Sequence, residues 1–330
     1  MGAGGIRREP FKIMENDERS LWHPLRRLFW RLIAPLPDGL YVRLKYLSLK
    51  GRWPDLRNPV RFSEKMQLRK LCDRNPLYTT LVDKCAVKDF VAERIGERYV
   101  LPTYWSGTDL REVDWSSIPL PAVVKPNHAS GLGRFLYTQQ DIEELVQENP
   151  GPQWLAVDHC RYNREWAYSQ VPRRLLIERM LVVDGGPPRD FRFFTFDGEV
   201  SHIMVDIRQG GRGYSCTYSP DWERLSLHDP DYLPRYPGEV ARPPQLERML
   251  KIAAELGRDL DFARIDLFAT EREVYFGEIT LYPGGGFDRF DPPEWECVLG
   301  KRWRQRITGG HMPADRSPGP LAHCTQVDAL

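Results

Sequence analysis

Two carboxylates inside an apolar hairpin constrain this chain more than any other feature. Residues 262–281 read FARIDLFATEREVYFGEITL, two strand-like runs around a polar turn. Ala263, Ile265, Leu267 and Ala269 alternate with Arg264, Asp266 and Phe268, the period of two that a half-buried strand requires. Beyond the turn, Tyr275, Ile279 and Leu281 alternate with Phe276, Glu278 and Thr280. A three-residue turn at Glu271 to Glu273 sets Asp266 opposite Glu278, with Arg264 opposite Thr280 on the same face. Like charges placed so repel and destabilise the pair of strands. Either the face is solvated and the acids pair with Arg264 and Arg272, or a divalent cation sits between them. One acid on a strand favours the first reading; two in register beside an arginine favour the second. Mg²⁺ suits such a pair, because it takes one or two carboxylates and fills its shell with phosphate oxygens. Metals held in this way neutralise a nucleotide's phosphates during phosphoryl transfer.

A glycine-bearing loop supplies a partner for that chemistry. LPAVVKP reads as a strand closed by Lys125 and runs into NHASGLG, Asn127 to Gly133, before a second strand, RFLY. Small residues there let backbone N–H groups approach a phosphate, and a lysine just before them adds positive charge. The spacing is neither GxGxxG nor GxxxxGK[ST], so the dinucleotide and P-loop fingerprints are absent. A lysine before a hairpin loop is commonplace, and His128 alone is an ordinary loop residue. The weight lies in the order: lysine, glycine loop, a strand bearing Glu178, then the acidic hairpin.

The rest of the chain reads as helices followed by strands. Leu21, Leu25, Leu28 and Leu32 recur at helical spacing within 17–33, opposite Arg26, Arg27 and Arg31. That helix is expected to dock on the protein's own core, with a weak membrane-surface contact as the alternative. Ser63 is the expected N-cap of a helix to about Asp73, and Asn75-Pro76 opens another. Asp83 starts a third, with Val87, Phe90, Val91 and Ile95 on one face and Gly96 as terminator. Residues 173–183 form a buried strand, and FRFFTF-DG-EVSHIMVDI a hairpin on Asp197-Gly198. Residues 207–242 read as a long irregular excursion, and 244–258 as a helix.

At 330 residues and 38.5 kDa the chain can bury the cores of two or three lobes. A net charge of +1 gives no global field for nucleic acid. The six cysteines form no CxxC pair or zinc spacing and are expected as free thiols in a reduced compartment. With no leader-like segment and no long apolar run, a soluble cytoplasmic protein is the expectation. The polar stretch after Trp303 carries Gly and Pro and is expected to lack regular structure.

The words around these motifs resemble the TupA-like family of the ATP-grasp superfamily. They are NPVRFSEKMQLRKLCDRNPLYTTLVDKCAVKDFV, VVKPNHASG, LLIERML, DFRFFTFDGEV, ARIDLF and VYFGEITLYPGGGFDRF, spread over roughly 58–300. The resemblance implies an α+β, ATP-grasp fold, two α+β lobes gripping ATP behind a helical N-terminal segment. The implied divisions are an extension at 1–57, a helical lobe at 58–119, a small lobe with the glycine loop at 120–183, a large lobe with the hairpin at 184–306, and a tail at 307–330. It implies ATP and Mg²⁺ as cofactors and a role at each matching position. Lys84 and Lys125 would hold the α- and β-phosphates, and the loop with His128, Ser130, Gly131 and Gly133 would close over the β- and γ-phosphates. Glu178 would bond the ribose or adenine, with the backbone of Arg179, Met180 and Leu181 lining the adenine. Asp266 and Glu278 would bind Mg²⁺, and Arg264 would steady the transferring phosphoryl group. Thr280 stands where many relatives have Asn, which leaves a second metal's coordination open. Arg192 stands where the family usually has Lys, in contact with phosphate or substrate.

The implied activity is a carboxylate-amine ligase working through an acyl phosphate, joining an amino acid or peptide to a uronic acid or another amino acid. The setting would be envelope polysaccharide or secondary-metabolite biosynthesis, and a homodimer is compatible with it. Three rivals differ in kind: a sugar-nucleotide glycosyltransferase using Asp229-Pro230-Asp231 as a DxD motif, a non-catalytic nucleotide-binding module, and a kinase that stops at phosphorylation.

Overall fold

Two antiparallel sheets, with helices before, between and after their strands, organise the chain, an α+β arrangement. The computed structural model describes residues 29–310 except 184, 185 and 187. Of the helix expected over 17–33, residues 29–33 are helical and the remainder lies outside the described residues.

The smaller sheet has the order β1-β4-β2-β3, formed by β1 (Thr103–Gly107), β2 (Ala122–Pro126), β3 (Arg134–Leu136) and β4 (Leu175–Arg179). Along β2, Ala122, Val124 and Pro126 are buried while Val123 and Lys125 are half-buried. Ile142 and Leu145 of helix α5 (Gln139–Glu148) join Ala122, Val124 and Leu136 in one core. Lys125 is thereby left on the other face. Strand β1 lies within the 58–119 segment expected as a helical lobe: TYWSG pairs with β4. Five residues are too few to show a period, although their β-branched and aromatic content was visible.

The larger sheet runs β7-β6-β5-β8-β9, from β5 (Arg189–Phe196), β6 (Glu199–Gln209), β7 (Arg212–Tyr218), β8 (Ala263–Ala269) and β9 (Val274–Thr280). Asp197 and Gly198 turn β5 into β6 with φ of 49° and 79°, the left-handed pair that a two-residue hairpin demands. Gly210 and Gly211 repeat that turn, with φ of 58° and 77°, and send the chain back as β7. The excursion expected from 207 therefore begins only at 219, after a further strand. Helix α8 (Leu246–Gly257) buries Leu246, Met249, Ala253 and Leu256 in the core beneath this sheet.

Before the sheets come α1 (Asp38–Lys50), α2 (Phe62–Cys72), α3 (Leu77–Val82) and α4 (Ala86–Ile95). Ser63 is not the cap of α2. Helix α2 begins at Phe62, and Glu64 accepts from the Arg61 N–H at 3.1 Å. Ser63 is buried inside the helix and donates to Glu296 Oε2 at 2.8 Å. Helix α2 is buried on most sides although it is rich in charge. Arg69 pairs with Asp261 and donates to the carbonyls of Phe262 and Leu281, at 3.0 and 3.1 Å. Buried polar groups are tolerated when bonded in this way.

The last helix in the described chain, α9 (Trp295–Arg302), packs on α2, and Trp303 is fully buried among Phe62 and Phe262. Packed structure runs past the expected boundary at 307: Thr308 accepts from Arg74 N–H at 2.7 Å and donates to Asp73 at 3.1 Å. Cys72, Cys85, Cys160 and Cys216 are free, as expected. Cys297 instead is disulfide-bonded, against the expectation of a free thiol. Among the described residues no helix is long and apolar enough to cross a membrane.

Candidate active site

The acid pair is aligned as the sequence indicated, by a different route. Asp266 lies opposite Glu278 and Arg264 opposite Thr280. The turn, however, has four residues, 270–273, because Ala269 pairs with Val274. Thr270 closes it, accepting from Glu273 N–H at 2.9 Å. The register then shifts between Asp266 and Leu267, leaving Gly277 as a bulge that restores the alignment. Glycine suits the place, since a Cβ there would stand 3.0 Å from the Asp266 carbonyl.

Arg264 answers the repulsion between the two acids. Its guanidinium donates to both oxygens of Asp266, at 2.7 and 2.6 Å, and to Glu278 Oε1 at 2.9 Å. Thr280 donates to the same Glu278 oxygen at 2.8 Å, while Arg272 stays in the exposed turn. Burial pushes the Asp266 carboxyl up to about 7, against the pull of Arg264 and helped by Asp190 and Glu278. At Glu278, whose side chain is 44% exposed, the upward push of burial is outweighed by Arg264 and Lys84, which hold it at about 2. The donor set fits Mg²⁺. Two carboxylates leave most of an octahedral shell to water and phosphate oxygens, and no cluster of three His, Cys, Asp or Glu suited to a metal occurs among the described residues.

Beside Asp266, Arg192 on β5 donates to Asp190 at 3.0 Å, to Asp206 at 2.8 Å and to Tyr232 Oη at 2.7 Å. Its Nε is 3.9 Å from Asp266. Three acceptors thus engage the guanidinium that the resemblance assigned to phosphate or substrate. Asp190 opens the word DFRFFTFDGEV but was given no role of its own, and Tyr232 carried no recognisable signal, because the excursion that brings it here has no period. The Asp229-Pro230-Asp231 triplet lies in the same excursion, with Asp231 paired to Arg289 at 2.8 Å.

The lysines converge from the other side. Lys125 pairs with Glu178 Oε1, a diagonal neighbour on the same face of the small sheet. Lys84, at the α3–α4 junction, donates to the Ala129 carbonyl in the glycine loop at 2.7 Å. Burial lowers its ammonium to about 8, opposed by Glu278 and abetted by Lys125. That triad of influences places Lys84 between hairpin and loop. Asn127, fully buried, fastens this junction: its amide donates to Asp83 at 2.8 Å and to the Pro172 carbonyl at 2.9 Å. Its own carbonyl accepts from Lys84 N–H at 3.1 Å.

In the loop, Gly131 has φ of 73°, and a Cβ at Gly133 would meet the Val124 carbonyl at 2.9 Å, so both positions need glycine. Ser130 is exposed in the loop, and burial, with the charges of Glu165 and Glu278, holds the nearby Tyr168 phenol well above its ordinary value against the pull of Arg264. His128 Nε2 lies 3.1 Å from the Val157 carbonyl, and burial lowers its pKa. Arg179 and Met180 N–H groups bond the carbonyls of Pro102 and Pro121, at 3.0 and 3.1 Å, which leaves their carbonyls and Leu181 along the strand end. Lys88, to which the sequence assigned no role, pairs from helix α4 with Glu178 Oε2 at 2.7 Å.

Similarity to known proteins bears on what this arrangement is. The family model described as TupA-like ATPgrasp matches residues 64–304, well over half of the chain. No curated protein matches. Among solved structures, a D-alanine–D-alanine ligase from Bacillus anthracis is similar at 15% identity and a TM-score of 0.41, over 63% of this chain and 60% of that one. The ATP-grasp ligase PsnB, complexed with minimal precursor, is similar at 9% identity and a TM-score of 0.40, over 70% and 63%. An N5-carboxyaminoimidazole ribonucleotide synthetase from Thermus thermophilus is similar at 14% identity and a TM-score of 0.38, over 74% and 51%. The chain thus spans less than two thirds of each of these proteins, and the family match carries the assignment.

Proposed function

The chain belongs to the TupA-like ATP-grasp family, and from that premise we propose that it is an ATP-dependent carboxylate-amine ligase. ATP and Mg²⁺ are the cofactors of ATP-grasp enzymes. The observation that carries the reading is the in-register pair Asp266 and Glu278, with Arg264 on the same face and Lys84 bonded from the α3–α4 junction to the glycine loop.

A substrate carboxylate oxygen attacks the γ-phosphorus of ATP; the bond to the bridging oxygen breaks, giving an acyl phosphate and ADP. An amine nitrogen then attacks the acyl carbon, the carbon–oxygen bond to phosphate breaks, and the nitrogen's proton leaves to solvent. Lys125 and Lys84 neutralise the phosphates, and the glycine loop offers its N–H groups to them. Asp266, Glu278 and Thr280 hold Mg²⁺, which when bound offsets charge on the transferring phosphoryl group. Arg264, bonded to both carboxylates, would steady the transferring phosphoryl group. No nucleophilic side chain is needed, since the work is positioning and charge stabilisation. Amino acids, peptides and uronic acids are the substrate classes in this reading, in envelope polysaccharide or secondary-metabolite synthesis in the cytoplasm.

The test is an ADP-release screen over amino acids and uronic acids, with mass spectrometry of the products. ADP release tied to amide formation is the expected result; UDP release from a sugar nucleotide, without ADP, would overturn it. Lys125→Met should weaken ATP binding by roughly ten- to a hundredfold, the worth of one charged hydrogen bond. A folded Lys125→Met protein with unchanged ATP affinity would refute the phosphate role.

A further inference from the structure

Glu178 is 7% exposed and carries one negative charge, yet two ammonium groups meet it, one at each oxygen. A buried carboxylate left without a counter-charge is strongly disfavoured. Lys125, on one oxygen, is the lysine that the proposed function sends to the phosphates. An incoming nucleotide must therefore compete with Glu178 for Lys125. Whether Glu178 can release it depends on what else holds Glu178.

That second holder is Lys88. Its Nζ lies 2.7 Å from Glu178 Oε2, 2.9 Å from the Leu101 carbonyl and 2.6 Å from Thr103 Oγ1. Three acceptors use all three N–H bonds of an ammonium, so Lys88 has none left for a phosphate. Its attachments reach from helix α4 to strand β1, which pins it in place. Both lysines hold the Glu178 carboxyl below its ordinary value against the effect of burial.

We propose that Lys88 is a positioning residue for nucleotide binding, retaining Glu178 so that Lys125 can turn to the phosphates. This rests on the reading of Lys125 given above. With Lys88 present, Glu178 exchanges one of two counter-ions when ATP arrives. Without it, Glu178 keeps Lys125 as its only partner, and ATP pays for the separation.

Affinity for Mg·ATP, together with KM and kcat, measured in the full chain tests the idea. Lys88→Met should weaken binding about tenfold and raise KM for ATP to match, with kcat at saturating ATP little changed. Lys88→Arg should recover most of the affinity. In a Glu178→Gln background, Lys88→Met should have no further effect, because no carboxylate is left to hold Lys125. An equal loss in both backgrounds would overturn the proposal, since Lys88 would then act on the nucleotide directly. Wild-type affinity in a folded Lys88→Met protein would overturn it too. Should Lys88→Met not fold, Lys88→Gln gives the same comparison. Unchanged affinity in Lys125→Met, by contrast, strikes the functional reading and not Lys88.

Discussion

A single buried ring shows how one residue ties stability to pH. His202 is 2% exposed and stacks on Phe194 with ring centroids 4.2 Å apart. Burial, reinforced by the charge of Arg302, lowers its pKa to about 3. The unfolded ring titrates near 6.5, so below that pH the unfolded chain binds a proton that the folded one refuses. The ring's contribution is fully present above about 6.5 and is lost as pH falls from there towards 3. His202→Gln should remove about 1.4 kcal/mol per pH unit of acid sensitivity in that window. Denaturant melts at pH 7.5 and 5.0 decide the matter: parallel losses in wild type and variant would show that the ring is protonated when folded.

Elements divide into those whose pattern is local and those set by distant partners. The β5–β6 turn announced itself as Asp197-Gly198, and α8 as a run of apolar residues at helical spacing. The alignment of Asp266 with Glu278 was legible as well, although a longer turn and the Gly277 bulge cancel to produce it. Strand β7 was missed because the Tyr, Gly and Arg of its sequence lack alternation, and Ser63 because its partner, Glu296, is remote. The start of the C-terminal segment differs for the same reason: its Pro and Gly suggested a free tail from 307, yet Thr308 exchanges bonds with Asp73 and Arg74, while 311–330 lie outside the described residues. A chain ending at Arg306 should therefore be less stable than one ending at Gly310 by about 1–3 kcal/mol, the worth of two hydrogen bonds. Identical melting of the two chains would show that the contact contributes nothing. In the site, Lys125 and Glu178 stood out in motif order and Lys84 only through the family resemblance; Lys88, Asn127 and Tyr232 were given no role, because each acts through a partner brought near only by folding.

At the scale of the whole molecule, ATP is expected to act as a brace between the two sheets. The small sheet presents Lys125 and Glu178, and the large one Asp266 and Glu278. A ligand that binds only the folded state at a hundred times its Kd adds about 2.7 kcal/mol. Glu278→Gln keeps the shape, and Arg264 keeps its two bonds to Asp266, so the ligand-free melting temperature should hardly move. The rise brought by Mg·ATP should largely vanish, along with turnover. A variant that melts lower without ligand and still gains the full rise would make the carboxylates a salt bridge and nothing more. Helix α2 carries a different consequence. Its buried faces are covered by Asp261, Phe262, Leu281, Glu296 and Trp303, all from the last quarter of the chain. A ribosome makes α2 long before it makes those partners. Until residue 303 has emerged, Phe62 has Phe196 and Arg69 has Tyr78 but neither has the rest of its partners, so the nascent chain must wait with this helix only partly covered and complete its core last.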